Sequence, residues 1–337
     1  MMTSRERVLA SLNFELPQGE RLPRQMWTLP WAELAFPGET KKIQALYPDD
    51  ICMSPSFLKT PLPVSGDAYA VGTYVDEWGC VFDNKQAGVI GEVKHPLIKD
   101  WDDLTAVHFP EERLSVDIDQ VNRFCAQESR FVQAGTYPRP FERLQFLRGT
   151  EDLLMDIASE EEGLFDFINR MHEFYIREME LWAKTDVDAL IMIDDWGTQN
   201  NMLINPRTWR EVFKPIYKIY ADIAHAAGKK IFMHSDGNIL EIYPDLIEIG
   251  IDALNSQIFC MGLEKLAPFK GKITFWGEMD RQHILPNGTE QEVADAVQQV
   301  YDALFAAGGV IAQCEFGPGA NPANVRALYS AWDQMNR

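Results

Sequence analysis

The 337 residues hold no apolar run approaching the roughly 18 needed to cross a bilayer. The opening MMTSRERVLASLNF has no apolar core of the kind a secretory signal carries. The five cysteines (Cys52, Cys80, Cys125, Cys260 and Cys314) are odd in number, scattered, and include no CxxC pair. That argues against a disulfide framework and for a reducing compartment. Basic residues are short as well: 31 Lys and Arg face 51 Asp and Glu, a formal net charge of −20. A surface that acidic repels phosphate backbones and anionic lipid heads, which sets nucleic acid and membrane aside as partners. There is no short-period repeat and no low-complexity tract. The expectation is a soluble cytoplasmic protein.

What is present is an ordinary globular composition, 46% hydrophobic and 24% charged, able to bury a large core. From about residue 185 an apolar strand, a polar tip and an amphipathic helix recur. The strand segments are ALIMIDDWGTQNN (189–201), KKIFMHSDGN (229–238), IDALNSQIF (251–259), KITFWGEMD (272–280) and VIAQCEFGPGA (310–320), with RFVQAGTYPRPF (130–141) and LPRQMWTLP (22–30) upstream. Thr3 with Glu6 and Thr289 with Glu292 fit capping boxes, and Asn205-Pro206 and Asn321-Pro322 fit helix starts. The spacing predicts one helix from Asn205 to Gly228.

Strands alternating with helices imply parallel pairing. Polar residues at nearly every strand tip favour an α/β fold of the (β/α)8 TIM-barrel type, because such barrels assemble their sites at the strand C-termini. The expected layout is a single barrel domain over 1–337. Residues 48–110 break the rhythm and alternate like antiparallel hairpin strands, as an insertion near the barrel mouth. The eighth strand has no clear position.

The tips bring together Asp194 and Asp195, His234 and Asp236, Glu278 and Asp280, and Cys314 and Glu315. Imidazole, thiolate and carboxylates suit a borderline cation such as zinc, and residues two apart on a strand share a face. Of the other rim residues, Gln199 and Asn200 offer amide contacts. Tyr137, Arg139 and Arg143 follow a strand and could hold a polar or anionic substrate group. Trp276, with Trp27, Trp78 and Trp196, is either pocket wall or core.

The stretches IDDWGTQNNMLINPRTWREVFKPIYKIYADIAHAAGKKIFMHSDGNI, LIEIGIDALN and FWGEMDRQHILPNGT resemble the uroporphyrinogen decarboxylase superfamily. The resemblance is strongest to its branch of methyltransferase-like proteins allied to methylcobalamin:coenzyme M methyltransferases. It implies a distorted (β/α)8 barrel, and zinc held by a His-x-Cys pair and a late Cys. The matching positions are His234, Asp236 and Cys314, with carboxylate where the pattern has the middle thiolate. Glu278 is expected as a fourth metal ligand or a base. Asp194 or Asp195 would orient His234 or bind a substrate hydroxyl, and Asp195 and Tyr137 join Glu278 as candidate catalytic residues.

The Asp236 departure makes the metal a harder Lewis acid, suited to oxygen. The implied reaction moves a methyl group from a small methoxylated or N-methylated donor to the corrinoid of a separate carrier protein. A homodimer is compatible with this reading. Two alternatives remain: a cofactor-free decarboxylase-like lyase using Arg24 as an anion clamp, and a non-catalytic binding homologue. For the first, LPRQMWTLPW keeps Arg24 and Gln25 but lacks the second arginine of the decarboxylase segment.

Overall fold

A computed structural model describes residues 2–335. Among them run eleven strands: β1 (Arg24–Thr28), β2 (Ile51–Met53), β3 (Gly72–Val75), β4 (Val81–Asn84), β5 (Glu92–Val93), β6 (Phe131–Gln133), β7 (Ala189–Ile193), β8 (Lys230–Ser235), β9 (Ala253–Ser256), β10 (Thr274–Trp276) and β11 (Val310–Phe316). Eight form a nearly closed, all-parallel barrel sheet in the order β1-β11-β10-β9-β8-β7-β6-β2, with helices between them. This is the (β/α)8 barrel expected from the sequence. No helix among the described residues is long and apolar enough to cross a membrane.

The eighth strand is β2, at the start of the stretch that the sequence assigns to the insertion. Three residues, Ile51–Met53, between two aspartates and a Ser-Pro pair leave no periodicity to read. The excursion proper carries β3, β4 and β5, an antiparallel three-stranded sheet. The helix predicted from Asn205 is two, Pro206–Val212 and Lys214–Ala226. Pro215 has no N–H to continue the ladder and opens the second instead. Both predicted capping boxes form, at Thr3 and at Thr289.

The barrel interior is a compact apolar column that includes Ile51, Phe131, Ile191, Phe232, Trp276 and Ile311. Val8 and Leu12 of the first helix (Ser4–Leu12) belong to the same cluster, so that helix stoppers the end away from the strand tips. Ser11 Oγ and the Ser11 carbonyl tie it to Val310 and Gly309.

The sheet order leaves β1 and β2 without a ladder between them, and two aspartate side chains with one backbone bond close that gap. Asp50 Oδ2 accepts the Arg24 N–H at 2.9 Å, Asp49 Oδ1 accepts the Met26 N–H at 2.7 Å, and the Asp50 N–H donates to the Arg24 carbonyl at 2.8 Å. Asp50 is fully buried and also accepts from Arg7 at 2.7 Å and from Arg21 at 2.6 and 2.8 Å. Deleting one member of such a buried ion cluster strands the others. We therefore expect Asp50→Ala to lower stability by about 3–5 kcal/mol in urea denaturation; a loss below about 1 kcal/mol would show that the seam is held by other contacts.

Candidate functional site

The register places Ile193 beside His234 and His234 beside Asn255, so three neighbouring strands put these residues in one row. Asn255 is fully buried. Its Nδ2 donates to the Trp276 carbonyl at 2.5 Å, which turns its Oδ1 to accept from His234 Nδ1 at 2.6 Å. With Nδ1 committed as a donor, Nε2 is the free atom of the ring, and it faces two carboxylates. Asp195 Oδ1 lies 3.4 Å away and Asp236 Oδ1 3.7 Å away. Asp195 Oδ1 is itself held by the Asp236 N–H at 2.9 Å. The donor atoms of Asp195, His234 and Asp236 all lie within 4.8 Å of one another.

Charge at this point is strongly perturbed. Burial alone would push His234 down, but the Asp195 carboxylate, with Asp236 and Asn255, lifts it to about 9. Burial likewise works against Asp195, but the bond and charge of His234, with the Asp236 N–H and the Arg139 charge, together hold Asp195 below the usual carboxylate range. Glu278 is buried and its carboxyl is pushed up to about 8 by that burial, against the pull of Arg281. Asp236 Oδ1 and Glu278 Oε1 are buried without a hydrogen-bond partner. Unmet polar atoms of this kind are costly, and they mark where a cation or polar ligand would be held. A nitrogen and two carboxylate oxygens converging, with the histidine tautomer fixed from behind, is a donor set that fits zinc with an open position.

Strand parity sorts the remaining expected residues. Along β11, Ile311 faces the interior column, and Glu315 faces the mouth, with Oε2 3.5 Å from Arg281 Nη1. Cys314 therefore points the other way, into the helix layer, where its Sγ is 3.5 Å from the Tyr329 hydroxyl and its thiol is pushed up to about 12 by burial. The structure does not bring it to the cluster. Asp194, next to Asp195, also faces outward. It accepts from the backbone N–H groups of Phe141 (2.9 Å) and Glu142 (2.7 Å) at the start of helix Pro140–Arg148, and from the Tyr217 hydroxyl at 2.5 Å. That carboxylate holds the scaffold and does not face the mouth. Trp276 is fully buried, donating to Gln25 Oε1 at 3.0 Å and edge-on to Trp27 and Phe232. It is floor beneath the site. Arg24 is given to Asp333 at 2.8 Å and to the Pro48 carbonyl, away from the mouth, so it is no anion clamp.

Two cavities open at the mouth. One of about 530 Å³ is walled by Tyr69 and Tyr74 of the excursion and by Tyr137, Arg139, Glu142 and Arg143. Arg139 lies 4.8 Å over the Tyr137 ring and pairs with Glu142 at 2.7 Å. Its positive charge also helps to hold Asp195 down. The other, of about 180 Å³, is lined by Gln199, Gln257, Cys260, Glu278 and Arg281. Sequence reasoning missed Asn255 and Arg281. Asn255 carried a signal, a polar residue at a strand tip; Arg281 sits in a loop with no period. Gly277 leads that loop at φ +72°, and a Cβ there would come within 2.3 Å of Gln313 Oε1.

The model of the uroporphyrinogen decarboxylase (URO-D) family matches residues 73–335. No curated protein matches by sequence. A solved methyltransferase from Methanosarcina mazei is similar over 100% of both chains, with a TM-score of 0.67 at 16% identity. A dihydropteroate synthase from Coxiella burnetii (TM-score 0.31, 13% identity) covers 49% of this chain and 60% of its own. An endo-β-1,4-xylanase from Gloeophyllum trabeum (TM-score 0.39, 12% identity) covers 64% and 79%.

His234, lifted to about 9, is protonated at neutral pH, so a cation taking Nε2 must displace that proton. Calorimetric zinc titrations at pH 7 in buffers of different ionisation enthalpy should show release of about one proton. Without metal, the His234 contribution to stability is full below about pH 6.5, its ordinary value, and is lost as pH rises through about 9. The decline of thermal midpoint across that window should be shallower in His234→Gln; an unchanged slope would contradict the assignment.

Proposed function

The chain belongs to the uroporphyrinogen decarboxylase family, and on that premise we propose that it is a zinc-dependent methyltransferase. In this reading it moves a methyl group from a small methoxylated or N-methylated compound to the corrinoid of a separate carrier protein. The observation that carries the reading is the convergence of Asp195, His234 and Asp236, with one ring nitrogen locked by Asn255 and one carboxylate oxygen left unpartnered. The similarity in fold to a methyltransferase supports it.

Asp195, His234 and Asp236 would hold the metal. Zinc bound there supplies Lewis acidity toward an ether or hydroxyl oxygen. The protein's own groups do the rest. Asn255 keeps Nε2 of His234 unprotonated when it serves as a ligand. The cavity walled by Tyr137 and Arg139 takes the body of the donor and aligns its methyl-bearing atom with the rim. The atom that loses the methyl group takes up a proton, and in this reading Glu278 gives it. Its carboxyl, raised to about 8, stays protonated at neutral pH and is buried without another partner.

The test is metal content beside turnover. Protein purified without chelator should carry close to one zinc per chain. His234→Ala and Asp195→Ala should lose it, whereas Cys314→Ser should keep it. Supplied with methoxylated donors and a reduced corrinoid protein, the wild type should methylate cobalt. Glu278→Gln should retain zinc yet turn over about 10²–10⁴-fold more slowly. Full zinc occupancy in His234→Ala would refute the assignment of the centre.

A further inference from the structure

We propose that Arg281 is a positioning residue for this centre, turning Asp236 so that Oδ1 is presented toward Nε2 of His234. The inference rests on the zinc reading above. Asp236 has two oxygens in different circumstances. Oδ2 is bound by Nη2 of Arg281, while Oδ1 is buried, has no hydrogen-bond partner and lies 3.7 Å from His234 Nε2. The same guanidinium places Nε 3.6 Å from Glu278 Oε2 and Nη1 3.5 Å from Glu315 Oε2. One planar fork therefore faces three carboxylates. Without it Asp236 would be left beside acids of like charge, with nothing to fix which oxygen faces the histidine. Arg281 does for Asp236 what Asn255 does for His234, and the two ligands are oriented from opposite sides.

Two effects of Arg281 on a bound dication oppose each other. Its charge repels the metal, so removing it would tighten binding by charge alone. Its hold on Oδ2 orients the ligand, and loss of such outer partners typically weakens metal binding about 10–100-fold. Because the guanidinium takes Oδ2 and leaves free the oxygen nearest His234, orientation is the larger effect.

The experiment titrates metal-free, full-length wild type, Arg281→Gln and Arg281→Lys with zinc against a chromophoric chelator, after thermal melting confirms that each variant is folded. Arg281→Gln should bind zinc about tenfold or more weakly, and Arg281→Lys, which keeps a charged donor for Oδ2, should recover to within about threefold of wild type. Zinc binding in Arg281→Gln as tight as wild type, or tighter, overturns the proposal and leaves the zinc centre standing. Failure of lysine to rescue overturns it too. No zinc binding by the wild type overturns the centre itself.

Discussion

Four carboxylates, from Asp195, Asp236, Glu278 and Glu315, gather at one end of a column packed with apolar side chains, and the cost of burying that much like charge governs everything around it. Glu315 faces the Arg281 guanidinium, and the other three are answered in different ways. Asp195 is ionised against an imidazolium, Asp236 is shared between that ring and a guanidinium, and Glu278 is kept neutral by burial. The result is a mouth where protons are held at unusual strength and an oxygen each of Asp236 and Glu278 is left unmatched. Divalent metal chemistry is a natural use of such an arrangement, since a dication answers in one place what the protein otherwise answers with protons and arginine.

Parity decides which residues take part. In a barrel strand every second side chain faces the interior, so a tip of consecutive polar residues splits between two environments. Asp194 and Asp195 are adjacent in sequence and have unrelated roles: one brackets the start of helix Pro140–Arg148, the other stands beside His234. Cys314 and Glu315 divide in the same way. The deep burial of Cys314 against Tyr329 makes it part of the packing between barrel and helix layer, and its thiol is correspondingly reluctant to ionise.

Much of this is legible in the sequence. Seven strands announced themselves by apolar runs ending in polar tips, and the helix starts by Thr-x-x-Glu, Asn-Pro and Thr3 with Glu6, because these signals are local. The pairing of His234 with Asp236 followed from spacing alone. What escaped depended on distance across the barrel or on chain without a period. β2 is too short to show alternation. Asn255 reaches His234 through a neighbouring strand. Arg281 lies beyond a strand tip in a loop started by Gly277, where only the absence of a side chain lets the backbone pass Gln313. Cys314 departs from the thiolate-bearing pattern that the chain resembles, because its parity on β11 turns it to the helix layer.

The seam between β1 and β2 has a meaning of its own. Elsewhere around the ring, neighbouring strands are joined backbone to backbone, and any side chain of suitable shape can ride on the ladder. At this one junction the link includes two aspartates, and each must span from its own Cα to an amide on the facing strand. The spacing of the barrel at that point is held partly by the length of a side chain, so that one added methylene would press on the seam while leaving every charge in place.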